Sequence, residues 1–159
     1  MGEGEFALVR EHMEMSLHSS SAWVGDQDIY ATLVDMAVLL RDEAGIRQYA
    51  PQAEELATRY SHTLYQAIAH RAWGVAHRLA GEYAESETRL HQALDLFSSL
   101  NTRWQMGRTL FELGELAVAQ MNAAKARDYF TRARMMFEEM HAVPDVARTQ
   151  VALENLREL

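Results

Sequence analysis

The sequence predicts an all-α fold, a solenoid of stacked helical hairpins, and three observations support this prediction. Segments of the chain resemble one another at a shift of 40 residues. Within each segment, apolar side chains recur three and four residues apart, which is the spacing of an amphipathic helix. Prolines and glycines number only 2 and 8 among 159 residues. That scarcity disfavours a fold made of many short strands and turns.

The 40-residue shift pairs small residues with small residues and bulky apolar residues with bulky apolar residues. Stacked helices need such a pattern, because a close-packed interior accepts only side chains of matching volume. Self-similarity at a fixed period is the mark of a repeat architecture. The clearest matches are Trp73-Gly74 with Leu113-Gly114, Ala93 with Ala133, and Leu96-Phe97 with Met136-Phe137.

The first predicted element is a helix over residues 4–19 that looks like the second helix of a repeat. Its Gly4-Glu5-Phe6-Ala7 overlays Gly81-Glu82-Tyr83-Ala84. We therefore expect a half repeat without its first helix, and hence a chain excised from a longer protein; a natural N-terminal cap is the alternative. A polar loop over residues 20–28 carries Trp23, which either marks a binding spot or packs over the end of a neighbouring helix.

Three helical hairpins follow, over residues 28–60, 62–100 and 102–141. Pro51 falls inside the second helix of the first hairpin, close enough to its start to be tolerated or to bend it. Ser61 and Asn101-Thr102 stand just before helices, so we predict that they cap the free amides of the first turn. The predicted helices span about 28–41, 44–60, 63–79, 83–99, 103–119 and 123–140.

The last predicted element is a single closing helix over residues 143–159. It is polar on several sides, with Asp145, Arg148, Gln150 and Glu154 among its residues. A stacked array needs such a terminal helix, since an unstacked apolar face would otherwise meet water. The whole chain, residues 1–159, is thus expected to form one repeat domain.

Composition argues against several classes of protein. The net charge of -8 makes a bulk attraction to nucleic acid or anionic lipid unfavourable, so neither is expected as a direct partner. Cysteine is absent, which removes disulfides, thiol nucleophiles and thiolate metal sites. No stretch approaches the roughly 20 apolar residues of a membrane span, and no signal peptide is visible. A cytoplasmic location is expected.

The small and bulky residues of the hairpins resemble the tetratricopeptide repeat. The motif residues are Trp73-Gly74, Gly81-Glu82-Tyr83 and Ala93 in one hairpin, and Leu113-Gly114, Ala126, Phe130 and Ala133 in the next. The first hairpin departs from the pattern, with Val34 in place of the glycine. The period of 40 exceeds the usual ~34 and looks like the longer arrays of large bacterial signalling proteins and transcription regulators. The resemblance implies a right-handed solenoid that binds protein partners and carries no catalytic residues.

By the same resemblance, the first helices of the hairpins line a concave groove. Arginine forks pair well with carboxylates, and apolar patches accept a helix or an extended segment. We therefore predict an acidic, partly apolar protein or peptide segment as the partner; alternatively, the arginines pair with Glu and Asp of adjacent repeats. The predicted groove residues are Arg71, Val75, Arg78, Arg108, Phe111, Glu115 and Arg148, with Asp35 contributed by the first hairpin. The Lys/Asn clamp of some family members is not reproduced at the matching positions.

No candidate catalytic, metal or cofactor site emerges from the remaining polar residues. His70 and His77 share one helix face at packing positions, two turns apart, and are expected to be structural. Glu112, Glu115, Glu138 and Glu139 are expected on solvated helix faces. The alternatives to a protein-interaction module are a sensor that binds a small molecule or short peptide in the groove, and a self-association module forming a homo-oligomer.

Overall fold

The computed structural model describes residues 3–19 and 26–156, which form eight α-helices and no strand. This confirms the predicted all-α fold of helical hairpins. The loop of Trp23 and the last three residues of the closing segment lie outside the described residues. The helices are α1 (Glu3–Ser19), α2 (Asp26–Leu40), α3 (Glu43–Arg59), α4 (Thr63–Leu79), α5 (Tyr83–Ser99), α6 (Arg103–Ala119), α7 (Ala123–Glu139) and α8 (Val143–Asn155).

The loops after α2 to α7 repeat one backbone motif at steps of twenty residues. In each loop, a residue with positive φ donates to the carbonyl three residues earlier, and the next residue donates to the carbonyl five residues earlier. This bonding satisfies the last carbonyl groups of a helix and turns the chain sharply. Only one of the positions is a glycine; the six residues are Arg41, Ser61, Gly81, Asn101, Met121 and His141.

The predicted caps at Ser61 and Asn101-Thr102 are wrong. Ser61 and Asn101 adopt the left-handed conformation that ends the preceding helix, one residue before the N-cap. The N-cap residues His62 and Thr102 form no side-chain bond to first-turn amides. The Thr102 hydroxyl instead donates to the Phe97 carbonyl, 3.0 Å away, in the helix that has just ended.

Glycines allow the two helices of a hairpin to approach closely. A Cβ at Gly74 would lie 2.5 Å from Leu90 of α5, and one at Gly114 would lie 2.5 Å from Phe130 of α7. Such distances exclude any larger side chain unless the facing residue moves. The two glycines that the 40-residue shift aligns therefore occupy the same structural position in successive hairpins.

The hairpins stack so that α4 and α6 each pack on both helices of the preceding pair. For example, α4 contacts α2 and α3 as well as its own partner α5. The buried side chains divide into two core clusters, one around α2, α3 and α4 and one around α6, α7 and α8. Helix α5 contributes to both, through Phe97 and Leu90 respectively. The stacking places α2, α4, α6 and α8 side by side on one surface.

Candidate functional site

The surface formed by α2, α4, α6 and α8 curves inward. Helices α2 and α6 are separated in the stack by α4, yet Asp35 of α2 lies 2.7 Å from Arg108 of α6. Arg41, which follows α2, similarly reaches Glu112 of α6 at 2.5 Å. Side chains can bridge over the intervening helix in this way only on a concave face. We call this face the groove.

Asp35 and two arginines form the first charge cluster of the groove. The Asp35 carboxylate accepts hydrogen bonds from Arg71 at 2.8 Å and from Arg108 at 2.7 Å. Arg71 is only 1% exposed, donates a further bond to the Gln105 side chain at 2.6 Å and lies over the ring of Phe97. Burial alone would raise the pKa of Asp35, but the two guanidinium groups outweigh it and hold that pKa below its usual value.

Glu112 and three arginines form the second charge cluster. The Glu112 carboxylate lies 2.5 Å from Arg41, 3.3 Å from Arg78 and 3.5 Å from Arg148. Burial acts to raise the pKa of Glu112, and the attraction of Arg41 and Arg78 overcomes it, so the pKa is lowered. Glu115, half-buried, adds longer contacts to Arg41 and Arg78. This cluster contains three cations and two anions.

The expectation that Glu112 lies on a solvated face is wrong, since this residue is only 4% exposed. It was missed because a single Glu on a helix usually faces water. The signal was its register: a shift of 40 residues places Glu112 over Ala72, a fully buried position of the preceding hairpin. A charge at a buried register position needs counter-charges, and the arginines supply them. Arg41 was also missed, because its role depends on the curvature of the stack.

The seven predicted groove residues differ in how deeply their side chains are buried. Arg71 and Val75 lie fully beneath the surface, and Phe111 and Arg108 are also buried. The other three gather around Glu112; they are Arg78, Glu115 and Arg148. The Arg148 guanidinium covers the ring of Phe111 at 3.8 Å from its centroid. Side-chain exposure is 39% for Arg148, 30% for Arg41 and 30% for Glu115, so these can meet a ligand.

Arginine charge exceeds carboxylate charge across the two clusters. Five guanidinium groups face three carboxylates, which leaves a net charge of +2 on a chain whose total charge is -8. Each cluster contributes +1, and in the second cluster Arg41 and Arg148 are solvent-accessible. An arginine that already shares its carboxylate with two others retains donors for a further acceptor.

A cavity of about 500 Å³ opens in the groove near the first turns of its helices. Two aromatic side chains at its edge donate to carboxylates of neighbouring helices: Tyr65 to Asp28, and Trp104 to Asp145 at 3.0 Å. Phe6 and Val9 of α1 also line the cavity. The remaining lining residues are Ala31, Thr32, Asp35, Met36, Leu39, Ile68 and Arg108.

The histidines of α4 take part in contacts outside the groove. His77 lies 2.5 Å from Glu82, and His70 lies 2.9 Å from Arg89. Burial, and then the charge of Arg89, lower the pKa of His70. Within residues 3–19 and 26–156, no group of three or more His, Asp or Glu side chains is arranged to hold a metal ion.

Comparison with known protein families identifies a repeat family. A family model described as tetratricopeptide repeat matches residues 65–139, which span most of α4 through α7. No curated protein matches the chain. No helix within the described part of the chain is long and apolar enough to cross a membrane.

Proposed function

Since this chain is a tetratricopeptide repeat protein over residues 65–139, and such repeats mediate protein–protein interaction or scaffolding, we propose that its groove binds an acidic, partly apolar segment of another protein. The family is typically non-catalytic, and we propose no reaction for this chain. The observation that supports the choice of partner is the excess of arginine around Glu112 beside a buried aromatic ring.

The segment's carboxylates would bind between Arg41 and Arg148, which are the accessible arginines of the second cluster. There each guanidinium group has N–H donors left for a further carboxylate oxygen. An apolar side chain of the segment would pack against the exposed edge at Leu39 and Leu79, which are 49% and 36% exposed. Arg71 and Arg108 would act indirectly, because their bonds to Asp35 fix the positions of α2, α4 and α6.

We also propose that residues 1–159 act as one repeat domain of a larger bacterial signalling or transcription regulator in the cytoplasm. The division into a half repeat (4–19), repeats (28–60, 62–100, 102–141) and a capping helix (143–159) belongs to this proposal. The neighbouring coding sequence of the parent gene tests it: a kinase, cyclase or ATPase domain alongside supports the proposal, and an isolated reading frame contradicts it.

Selection from a randomised displayed-peptide library on the immobilised full chain tests the groove. We expect the enriched peptides to place Asp or Glu beside Leu, Ile or Phe. Replacing Arg41 and Arg148 together by Gln should weaken binding of a selected peptide by about tenfold or more, equivalent to about 1.4 kcal/mol. Arg71 and Arg108 are left intact, because charge reversal there would expel Asp35 from its buried pairs.

The control is Arg132→Gln. Arg132 is an exposed arginine of α7 that forms an ion pair with Asp128 one turn away and lies over the ring of Tyr129. Its replacement removes the same kind of charge without touching the groove. Enriched peptides that lack acidic residues, or equal affinity for the double variant and the wild type, would contradict the proposal.

A further inference from the structure

We propose that the cavity at the first turns of α2, α4, α6 and α8 binds an organic cation with an apolar body. The site extends along α2 from Asp28 to Leu39, and it shares Leu39 with the surface proposed above. Its charge has the opposite sign, and its binding does not depend on the partner proposed above. The two proposals can therefore fail separately.

The size and lining of the cavity suit a small ligand. Its volume of about 500 Å³ falls within the usual range for small-molecule sites, roughly 300–1,000 Å³. Helices α1, α2, α4, α6 and α8 all contribute to its walls. Most of the lining side chains are apolar, so a ligand that fills the cavity would bury hydrophobic surface.

The carboxylates of Asp28 and Asp145 make the cavity negatively charged. Asp28 and Asp145 each accept one bond from a neutral aromatic donor, and neither forms an ion pair with any described residue. Asp35 is already paired with Arg71 and Arg108. The charges of Asp35, Arg71 and Arg108 sum to +1, and the charges of Asp28 and Asp145 sum to -2. The cavity thus carries a net charge of -1 and complements a single positive charge.

The aromatic residues fix the carboxylates at the cavity edge. Tyr65 and Trp104 hold one oxygen of Asp28 and Asp145 respectively, which leaves the second oxygen of each for a ligand. Trp104 is 44% exposed, and Arg108 covers part of its ring. An ammonium group would bind the remaining oxygen of Asp28 or Asp145 while its apolar body enters the space beside Met36 and Ile68.

Isothermal titration of the full chain with benzyltrimethylammonium tests this assignment. Benzyl alcohol and phenylacetate serve as neutral and anionic ligands of similar size. We expect the cation to bind one-to-one and at least tenfold more tightly than either. The variant carrying both Asp28→Asn and Asp145→Asn keeps the shape and the acceptor atoms but loses the charge, and should bind the cation about tenfold more weakly or worse.

The control variant is Asp128→Asn, which removes an exposed carboxylate from α7, outside the cavity. Nitrogen–proton correlation spectra of the wild type give a second readout that needs no variant. The indole N–H of Trp104 should shift on addition of the cation and stay unchanged with phenylacetate. No binding of the cation at 20 mM, equal binding of benzyl alcohol, or undiminished binding by the double variant would overturn the proposal.

A lysine-containing peptide identifies the source of the cation. Acetyl-Leu-Lys-Leu-amide, titrated in the same way, presents the charge as a side chain of a partner protein. If it binds more tightly than the free cation and competes with it, the natural ligand belongs to a protein chain. If it fails to bind while the free cation binds, the site accepts a metabolite-sized cation; both results support the proposed chemistry.

Discussion

At the residue scale, Glu112 determines whether three guanidinium groups can lie together in the groove. Its carboxylate neutralises charges from the end of α2, from α4 and from α8, which are distant in sequence. Removing one partner of a buried ion pair leaves the other charges uncompensated, which is costly. The same carboxylate therefore supports the fold and sets the charge that a partner meets.

We predict that Glu112→Gln lowers the free energy of unfolding by about 3 kcal/mol, because the amide retains the shape but not the charge. Urea unfolding followed by circular dichroism measures the change. The matched control is Glu139→Gln, an exposed carboxylate paired with Arg103, for which we expect a change below about 1 kcal/mol. Equal effects of the two substitutions would show that the Glu112 cluster contributes no special stability.

The lowered pKa values of Asp35 and Glu112 predict a stability that depends on acid pH. Ordinary Asp and Glu side chains have pKa values of about 3.9 and 4.3, so the unfolded chain binds protons before the folded chain does. The stabilisation from these two groups is complete above that range and is lost as pH falls through their lower folded values. Urea unfolding at pH 7, 5, 4 and 3 should therefore show a decline confined to the lowest pH values.

The Glu112→Gln variant provides the control for the pH experiment, since it lacks one of the two responsible groups. Its stability should fall less steeply between pH 5 and pH 3 than that of the wild type. An identical slope in the two proteins would mean that acid sensitivity arises elsewhere in the chain.

At the element scale, the sequence predicted the helices and their bounds well and the residues that cap them less well. The periodicity of apolar residues places α4 to α7 because each helix buries one stripe against its partner. The caps at Ser61 and Asn101-Thr102 were mispredicted because the same short loop must first close one helix before it starts the next. At Ser61 and Asn101 the loop requires a left-handed backbone conformation, which prevents these residues from capping the next helix.

The close approach at Gly114 yields a prediction about one hairpin. Gly114→Ala should gain helix propensity of about 1 kcal/mol, yet its Cβ would collide with the Phe130 ring. Overpacking costs about 1–3 kcal/mol, so we expect net destabilisation by about 1 kcal/mol. Combining it with Phe130→Leu should cost less than the sum of the single changes, as urea unfolding in a double-mutant cycle would measure. Strict additivity would contradict the contact.

Pro51 yields a prediction about α3. The helix continues through this exposed proline, which cannot donate a hydrogen bond to the residue four positions earlier. Pro51→Ala should raise the free energy of unfolding by about 1–3 kcal/mol, because alanine restores the donor and has the highest helix propensity. Thermal unfolding measures the gain, with the neighbouring Gln52→Ala as the control that alters an exposed helical site without a proline. A melting temperature that falls on replacing Pro51 would contradict this account.

At the scale of the whole molecule, the sequence predicted the stack but only part of the groove. The 40-residue shift was sufficient for the order of the hairpins, because each repeat contacts mainly its neighbours. The pairing of Asp35 with Arg108 and of Arg41 with Glu112 joins helices that are not adjacent. Such contacts depend on how sharply the stack curves, and the periodicity of a single chain does not specify that curvature.

Charge is distributed unevenly along the groove as a consequence of this curvature. Arginines exceed carboxylates around Glu112, whereas the cavity near Tyr65 and Trp104 contains Asp28 and Asp145, which form no ion pair with any described residue. A partner that recognises the whole groove would need both signs, in a fixed direction along the helices. A partner that binds only one end of the groove could lie in either direction along the helices.

The measurement that tests the central claim most directly is mapping of a selected acidic peptide by nitrogen–proton correlation spectra of the full chain. We predict that the largest shift changes fall on α2, α4, α6 and α8, centred on Arg41, Arg78, Glu115 and Arg148, and weaken as salt is raised. Changes centred on the outward surfaces of α3, α5 and α7, with the groove unaffected, would contradict the claim that the groove is the binding surface.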